Sequence, residues 1–244
     1  MPKSQIIKDI VEDSVSLEKS LTRLLVLAKD VRNSKLVQWA EKELKGYKED
    51  ADIPNYRRTE SKELQYSGIN NRFQVTSIPL PIGWISKDIM DQIFPIAAYE
   101  SIRLIEELAT GDDTIMRDMT ALAGEIRSNS NGAVSCTSIQ QLIPRAFFIS
   151  ICAEVKNKMI TALMELEKKY GNLDGLGIDI SDKPKVQIER INSDLNNAVF
   201  QINVPQQEAV KEPWYSKIAW KVIVPIVTAI LSAVGTAIII KFLG

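Results

Sequence analysis

The nineteen residues between Lys221 and Lys241, VIVPIVTAILSAVGTAIII, carry no charge. At about 1.5 Å of rise per residue, a helix of this length nearly matches a hydrocarbon core of about 30 Å, so one membrane-spanning helix is expected here. Only Phe242, Leu243 and Gly244 follow Lys241, which leaves roughly 210 preceding residues as a body held against one leaflet. Trp214, Tyr215 and Trp220 read as an aromatic belt, with Lys211, Lys217 and Lys221 among them. Three lysines on this side against Lys241 on the other place the body in the cytoplasm, so a single-pass membrane protein with a cytoplasmic body is expected. At the other end, MPKSQIIKDIVEDS has acids where a signal peptide needs a continuous apolar core.

The expected helix has two unlike faces. At 100° per residue, Thr228, Ala229, Ser232, Ala233, Gly235 and Thr236 fall along one side, while Ile223, Val227, Ile230, Leu231, Val234 and Ile238 crowd the other. A small, hydroxylic face gains nothing from lipid tails but allows close approach and hydrogen bonding to another helix. Two readings follow. Either the hydroxyls bond back to their own helix in a plain tail anchor, or the face packs an oligomeric bundle around a narrow pore. Pro225 would then kink the helix one turn inside the membrane, as a gate.

Thirty Lys and Arg stand against thirty-one Asp and Glu, so no overall basic field attracts nucleic acid and an anionic ligand needs a local patch. The two cysteines, Cys136 and Cys152, read as reduced thiols and not as a disulfide framework. The chain has no histidine. That removes Ser-His-Asp and Cys-His catalysis, HExxH proteases and most zinc chemistry together. Neither GxxxxGK[ST] nor GxGxxG occurs, so no phosphate-cradling loop of those types supports nucleotide chemistry. Neither enzymatic activity nor a cofactor or metal is expected.

Residues 1–46 read as helices. Ile6, Ile7, Ile10 and Val11 begin an apolar stripe; Ser16 is the N-cap of a second helix carrying Leu17, Leu21, Leu24, Leu25 and Ala28. A third carries Leu36, Trp39, Ala40 and Leu44 and stops at Gly46. From Tyr47 to Gly83 the period disappears among prolines, glycines and asparagines, and RFQVTSI reads as a strand or ordered loop. Helices resume at Ser86, break at Pro95 and continue through Ala98, Ile102, Ile105 and Leu108 to Gly111. The spacing of Ile115, Met119, Leu122 and Ile126 predicts an amphipathic helix begun by Asp112 or Asp113. SNSNGAVS reads as a loop, and a long helix is expected from Ser138 to Tyr170, with Pro144 in its first turns or kinking it.

VQIERI and AVFQINV, around SDLNN, alternate like a β-hairpin, and PQQEAVKEP links it to the apolar run. Such a hairpin would pack on its own domain or pair with a neighbouring chain to form a ring. The fold class expected is therefore mostly α: a helical soluble body with a small β or loop segment and a C-terminal β-hairpin, followed by one transmembrane helix. The corresponding parts are 1–172, 173–210 and 211–244.

SVSLEKSLTRLLVLAKDV, LVQWAEKELKGYKEDADIPNYR, SIPLPIGWIS leading into AYESIRLIEELA, and IPRAFFISICAEVKNKMITALMELEKKYG together resemble the AbiTii domain of bacterial phage-defence proteins, over roughly residues 4–172. Trp39, Glu43, Leu44, Gly46 and Tyr47, followed by Ile53, Pro54, Tyr56 and Arg57, carry the resemblance most specifically. It implies membership of an anti-phage or abortive-infection system, as a sensor or adaptor region fused to a variable module. It supplies no catalytic residues. The architecture is also similar to Hailong-type effectors, in which a nucleotidyltransferase partner makes a DNA oligomer that controls a membrane channel. That likeness implies a nucleotide or DNA-oligomer ligand, and the small, hydroxylic helix face leads to a homo-oligomer being expected, with a tetramer favoured.

The densest basic and aromatic cluster is Lys45, Tyr47, Lys48, Tyr56, Arg57 and Arg58, with Arg72, Phe73 and Trp84 nearby in sequence. Its cations suit phosphates and its rings suit bases. The same residues also fit a solvated helix face beside Glu41, Glu43, Glu49 and Asp50, with Tyr56 and Trp84 in the core. Lys156, Lys158, Lys168 and Lys169 alternate with acids at helical spacing and read as solubilising. Two functions follow: a membrane effector that forms a pore controlled by its cytoplasmic domain, or a non-conducting adaptor that tethers a partner defence enzyme.

Overall fold

The computed structural model describes residues 3–48, 53–175 and 177–200. The first three helices form as their stripes and caps dictate: α1 (Gln5–Val11), α2 (Leu17–Asp30) and α3 (Ser34–Lys45). Ser16 caps α2 by accepting from the Lys19 amide at 3.4 Å, and Asn33 caps α3 by accepting from the Leu36 amide at 3.0 Å. Gly46 ends α3 at φ 86°, a left-handed turn. Its missing side chain also has a packing reason, since a Cβ there would lie 2.7 Å from the Tyr99 carbonyl oxygen.

The chain then builds two short β units. β1 (Arg58–Glu60) pairs antiparallel with β4 (Pro95–Ala97), and a four-stranded antiparallel sheet runs in the order β3-β2-β6-β5. Its strands are β2 (Leu64–Asn70), β3 (Phe73–Pro79), β5 (Met116–Asp118) and β6 (Val134–Leu142). RFQVTSI is thus a strand, as its alternation indicates. The remaining helices are α4 (Lys87–Ile93), α5 (Ile102–Thr110), α6 (Ala123–Asn129), α7 (Arg145–Tyr170) and α8 (Lys185–Phe200).

Two apolar cores result. The larger joins α1, α2, α3, α5, α7 and α8 through Leu21, Leu24, Leu27, Ile105, Leu163 and Val199, among others; each such side chain contributes about 1.5–3 kcal/mol on burial. The smaller lies under the sheet, where Tyr66, Phe94, Ile126 and Ile139 meet. Gln141 fastens the two β units by donating to the carbonyls of Ser61 at 2.7 Å and Ile93 at 3.0 Å.

Lys3 and Ser4 are held by the Glu167 carboxylate. Glu167 on α7 accepts from Lys3 Nζ at 2.8 Å and from the Ser4 amide and hydroxyl, each at 2.6 Å. The Lys3 ammonium, then the Ser4 hydroxyl, hold its carboxyl down at about 2, below the ordinary 4.5. Because the folded value is the lower one, this stabilisation is complete above about 4.5 and disappears as pH falls through about 2. Glu167→Gln should therefore be less stable than wild type at pH 6, with the gap in denaturation midpoint closing between pH 4.5 and pH 2.

Three expected elements are corrected. The helix placed at Ser138–Tyr170 starts at Arg145, and the preceding stretch is β6. Pro144 disfavours helix in the residue before it and presets φ for the helix after it, so it divides strand from helix. The amphipathic helix over 115–126 is instead β5, a 3-10 turn at Thr120–Leu122 and the start of α6. The spacing of four, three and four was satisfied by two different structures, because Met116 pairs with Leu142 of β6 before the chain turns. The C-terminal β-hairpin is helix α8 through Phe200. Its buried residues, Ile188, Ile191, Leu195 and Val199, recur at helical spacing against α7.

The mostly α class holds, with the sheet larger than a loop segment. Among the described residues no helix is long and apolar enough to cross a membrane. The expected spanning run, with Pro225, Thr228, Ala229, Ser232, Ala233, Gly235 and Thr236, lies outside the described residues.

Candidate functional site

On the inward stripe of α3, Leu36, Trp39 and Ala40 are followed one turn later by Glu43, which is 0% exposed. A carboxylate on an apolar stripe must be paired, because an isolated buried charge costs far more than its burial returns. Its partner is Arg57, also 0% exposed, whose Nη2 donates to Glu43 Oε2 at 2.5 Å and whose Nε donates to Oε1 at 3.3 Å. The hydroxyls of Tyr47 and Tyr56 each donate to Oε1 at 2.6 Å. Arg57 Nη1 donates to the carbonyls of Ala98 at 3.0 Å and Glu100 at 2.9 Å. Trp39 Nε1 donates to the Tyr56 hydroxyl at 2.9 Å, and the Arg57 guanidinium lies 4.9 Å from the Tyr47 ring centroid.

This network ties the C-terminal turn of α3 to the entry of β1 and to the segment between β4 and α5. Burial, then the Glu43 charge, pushes the pKa of both phenols well above the ordinary tyrosine value, so both stay donors. Cys152 on α7 is pushed up to about 11, chiefly by burial and then by Glu106. It is a thiol at neutral pH, not a nucleophile. Among the described residues no cluster of His, Cys, Asp and Glu could hold a metal ion.

The seven basic and aromatic candidates separate into three groups. Tyr47, Tyr56 and Arg57 belong to the buried network. Lys45, Lys48 and Arg58 are exposed; Lys45 stands 4.0 Å from Glu41 across one helical turn, and Arg58 Nε donates to the Ile53 carbonyl at 3.5 Å. Arg72 occupies the turn between β2 and β3 with Phe73 beside it, and the seven residues of β2 carry that turn about 20 Å from Leu64. Trp84 is half-buried against the smaller core.

Lys45, Tyr47 and Lys48 nevertheless line one open cleft of about 440 Å³, together with Gln38, Glu41, Lys42 and Gly46. Tyr47 is the link between surface and interior: it is one of the residues lining the cleft, and its hydroxyl bonds Glu43.

Sequence reasoning placed neither Glu43 nor Lys158 in a site. Glu43 had a visible signal, since it continues the i, i+3, i+4 spacing of Leu36, Trp39 and Ala40 where an apolar residue is expected. Lys158 was read as solubilising with Lys156, Lys168 and Lys169. Those three pair at the surface with Asp13 at 2.6 Å, Glu165 at 3.6 Å and Asp194 at 3.2 Å. Lys158 is 9% exposed, donates to the Val199 carbonyl at 3.0 Å and sits 5.8 Å from the Tyr56 ring centroid and 5.9 Å from that of Phe200. The packing of α8 on α7 brings the Val199 carbonyl and the Phe200 ring to it.

The profile of one protein family, described as AbiTii, matches residues 4–193. No curated protein and no solved structure matches the chain. The matched span contains the whole Glu43–Arg57 network, and five of the nine residues that carried the resemblance in sequence, Trp39, Glu43, Tyr47, Tyr56 and Arg57, are members of that network.

Proposed function

The chain belongs to the AbiTii family, which points to a role in abortive infection or phage defence, and from that premise we propose that it is a non-enzymatic membrane effector. Several copies assemble through the helix over 222–240, and the assembly permeabilises the bacterial inner membrane when the cytoplasmic body receives its signal. The observation that carries this reading is the uncharged run itself, with Thr228, Ser232, Gly235 and Thr236 gathered on one face.

The signal is an anionic nucleotide or DNA oligomer made by a partner nucleotidyltransferase, as in Hailong-type systems. It enters the cleft beside the end of α3, where Lys42, Lys45 and Lys48 supply the charge. Tyr47 then transmits occupancy to Glu43, and so to the Arg57 contacts that anchor the chain ahead of α5. Gating requires the ligand to bind the closed and open assemblies unequally, because equal affinity shifts no equilibrium.

Expression of the full chain without its partners tests the effector. Growth arrest with loss of membrane potential is expected, and Thr228→Leu, Ser232→Leu and Thr236→Leu together should abolish both while keeping the run apolar. Normal growth and potential at high expression would overturn the pore and favour a passive tether for a partner enzyme.

A further inference from the structure

The sheet ends, on the side of the β2–β3 turn, in a surface almost without charge. Residues 64–86 carry one formal charge, Arg72, and residues 128–144 carry none, in a chain that is 25% charged overall. The fold brings these two stretches together. The Asn71 amide donates to the Ala133 carbonyl at 2.6 Å, and Asn129 Nδ2 donates to the Trp84 carbonyl at 2.9 Å, which sets the turn containing Ile82 alongside. At this end Phe73 is 75% exposed, Ile69 51% and Ile82 38%.

We propose that this hairpin end docks into the headgroup layer of an anionic phospholipid bilayer. Phe73 lies opposite Asn70 and Ile69 lies opposite Gln74, so the two apolar side chains leave the hairpin on opposite faces. A protein partner covers one face of a ribbon; a medium that surrounds the tip covers both. The charges have the matching sign. Arg72 is at the turn and Arg127 is exposed at the end of α6, while neither stretch contains an acid. Glu125, the acid nearest to Arg127 in sequence, is engaged by the Ser86 amide at 2.8 Å. An aliphatic stem that snorkels a guanidinium to phosphate, beside Phe and Ile side chains at the interface, is the usual chemistry of such contacts.

The occupant is a bilayer because the chain brings one within reach, a step that rests on the spanning reading of 222–240. With that run in a membrane, residues 201–221, even fully extended at about 3.5 Å per residue, keep the body within about 70 Å of the lipid.

The test uses the full chain carrying Cys136→Ser and Cys152→Ser, reconstituted in vesicles of phosphatidylethanolamine and phosphatidylglycerol. An environment-sensitive dye is placed on Phe73→Cys or Ile69→Cys, on Val186→Cys, a 77% exposed control on α8, or on Leu231→Cys within the apolar run. Nitroxide-labelled lipid should quench most of the emission at positions 69 and 73, with a blue shift, and leave position 186 unaffected. Arg72→Glu should reduce the quenching at position 69.

Quenching at 231 without quenching at 69 and 73 overturns the docking and leaves the spanning helix standing. Quenching at 69 and 73 without quenching at 231 supports the docking and overturns the spanning helix. Energy transfer between tips of two copies, with no lipid quenching, assigns the surface to a second copy and overturns the lipid contact; no signal at any position overturns docking and spanning together.

Discussion

Glu43→Ala should destabilise the described body by about 3–5 kcal/mol, the cost of leaving one member of a buried ion pair without its counter-charge. The variant strands the Arg57 guanidinium, which is 0% exposed and keeps only the carbonyls of Ala98 and Glu100. It also removes the shared acceptor of the Tyr47 and Tyr56 hydroxyls. Glu43→Gln retains the shape and an acceptor but not the charge, so its loss should be smaller and still exceed about 1.5 kcal/mol. The control is the pair of substitutions Glu43→Met and Arg57→Met made together. Removing both charges costs much less than removing either, so the double variant should lie closer to wild type than Glu43→Ala does. Chemical denaturation of the four proteins decides the matter, and a double variant less stable than Glu43→Ala would show that the ion pair is not the source of the loss.

The second large effect is expected at Gly68, in the irregular register of β2. A Cβ at this position would collide with the Ser135 carbonyl oxygen and lie 2.9 Å from the Cys136 Cα, both backbone atoms of the paired strand. No rotamer relieves that contact, and φ is +153°, where a side chain is strained even in open space. Gly68→Ala must therefore part β2 from β6, with an expected loss of at least about 3 kcal/mol from strain and overpacking together. Gly132→Ala provides the comparison. It has φ +77° but no atom within 4 Å of the added Cβ, so it should lose only the conformational term of about 1 kcal/mol. Equal denaturation midpoints for the two variants would show that backbone conformation, and not the contact with β6, sets the cost.

Both sites lie in stretches where the sequence signal was ambiguous, and the physical reasons differ. At Glu43 the spacing was readable but its meaning was not. A Glu on a helix with Lys42, Lys45 and Lys48 around it looks solvated until the chain returns with Arg57, fourteen residues later, and supplies the counter-charge. The family resemblance drew attention to these same residues as a pattern, and packing turns the pattern into a single hydrogen-bonded network. At 134–142 the difficulty was local and of another kind. From Ser138 the stretch contains no breaker before Pro144 and precedes a long helical stripe, so the helical reading extends backward from Arg145 through Pro144. Its strand partners are elsewhere: Val134 pairs with Asn70 and Leu142 with Met116.

The segment 185–200 inverts that case. Its apolar residues fit alternation over six residues and helical spacing over sixteen, and the longer pattern prevails because α7 offers a surface for the helical stripe. In the same way Lys158, charged and flanked by acids, meets the Val199 carbonyl and the Phe200 ring because α8 packs on α7.

The sequence by itself determined α1, α2 and α3, the Ser16 cap, the glycine stop at Gly46, the absence of histidine chemistry and the uncharged run at 222–240. Each of these depends on residues within a turn or two of one another. Tertiary structure alone decided which ambiguous segments became strand or helix, which cations were buried, and that Ile69 and Phe73 share one sparsely charged end of the sheet. Those outcomes depend on partners tens of residues away, and the free energy of burial and pairing they supply exceeds the local preferences that a sequence displays.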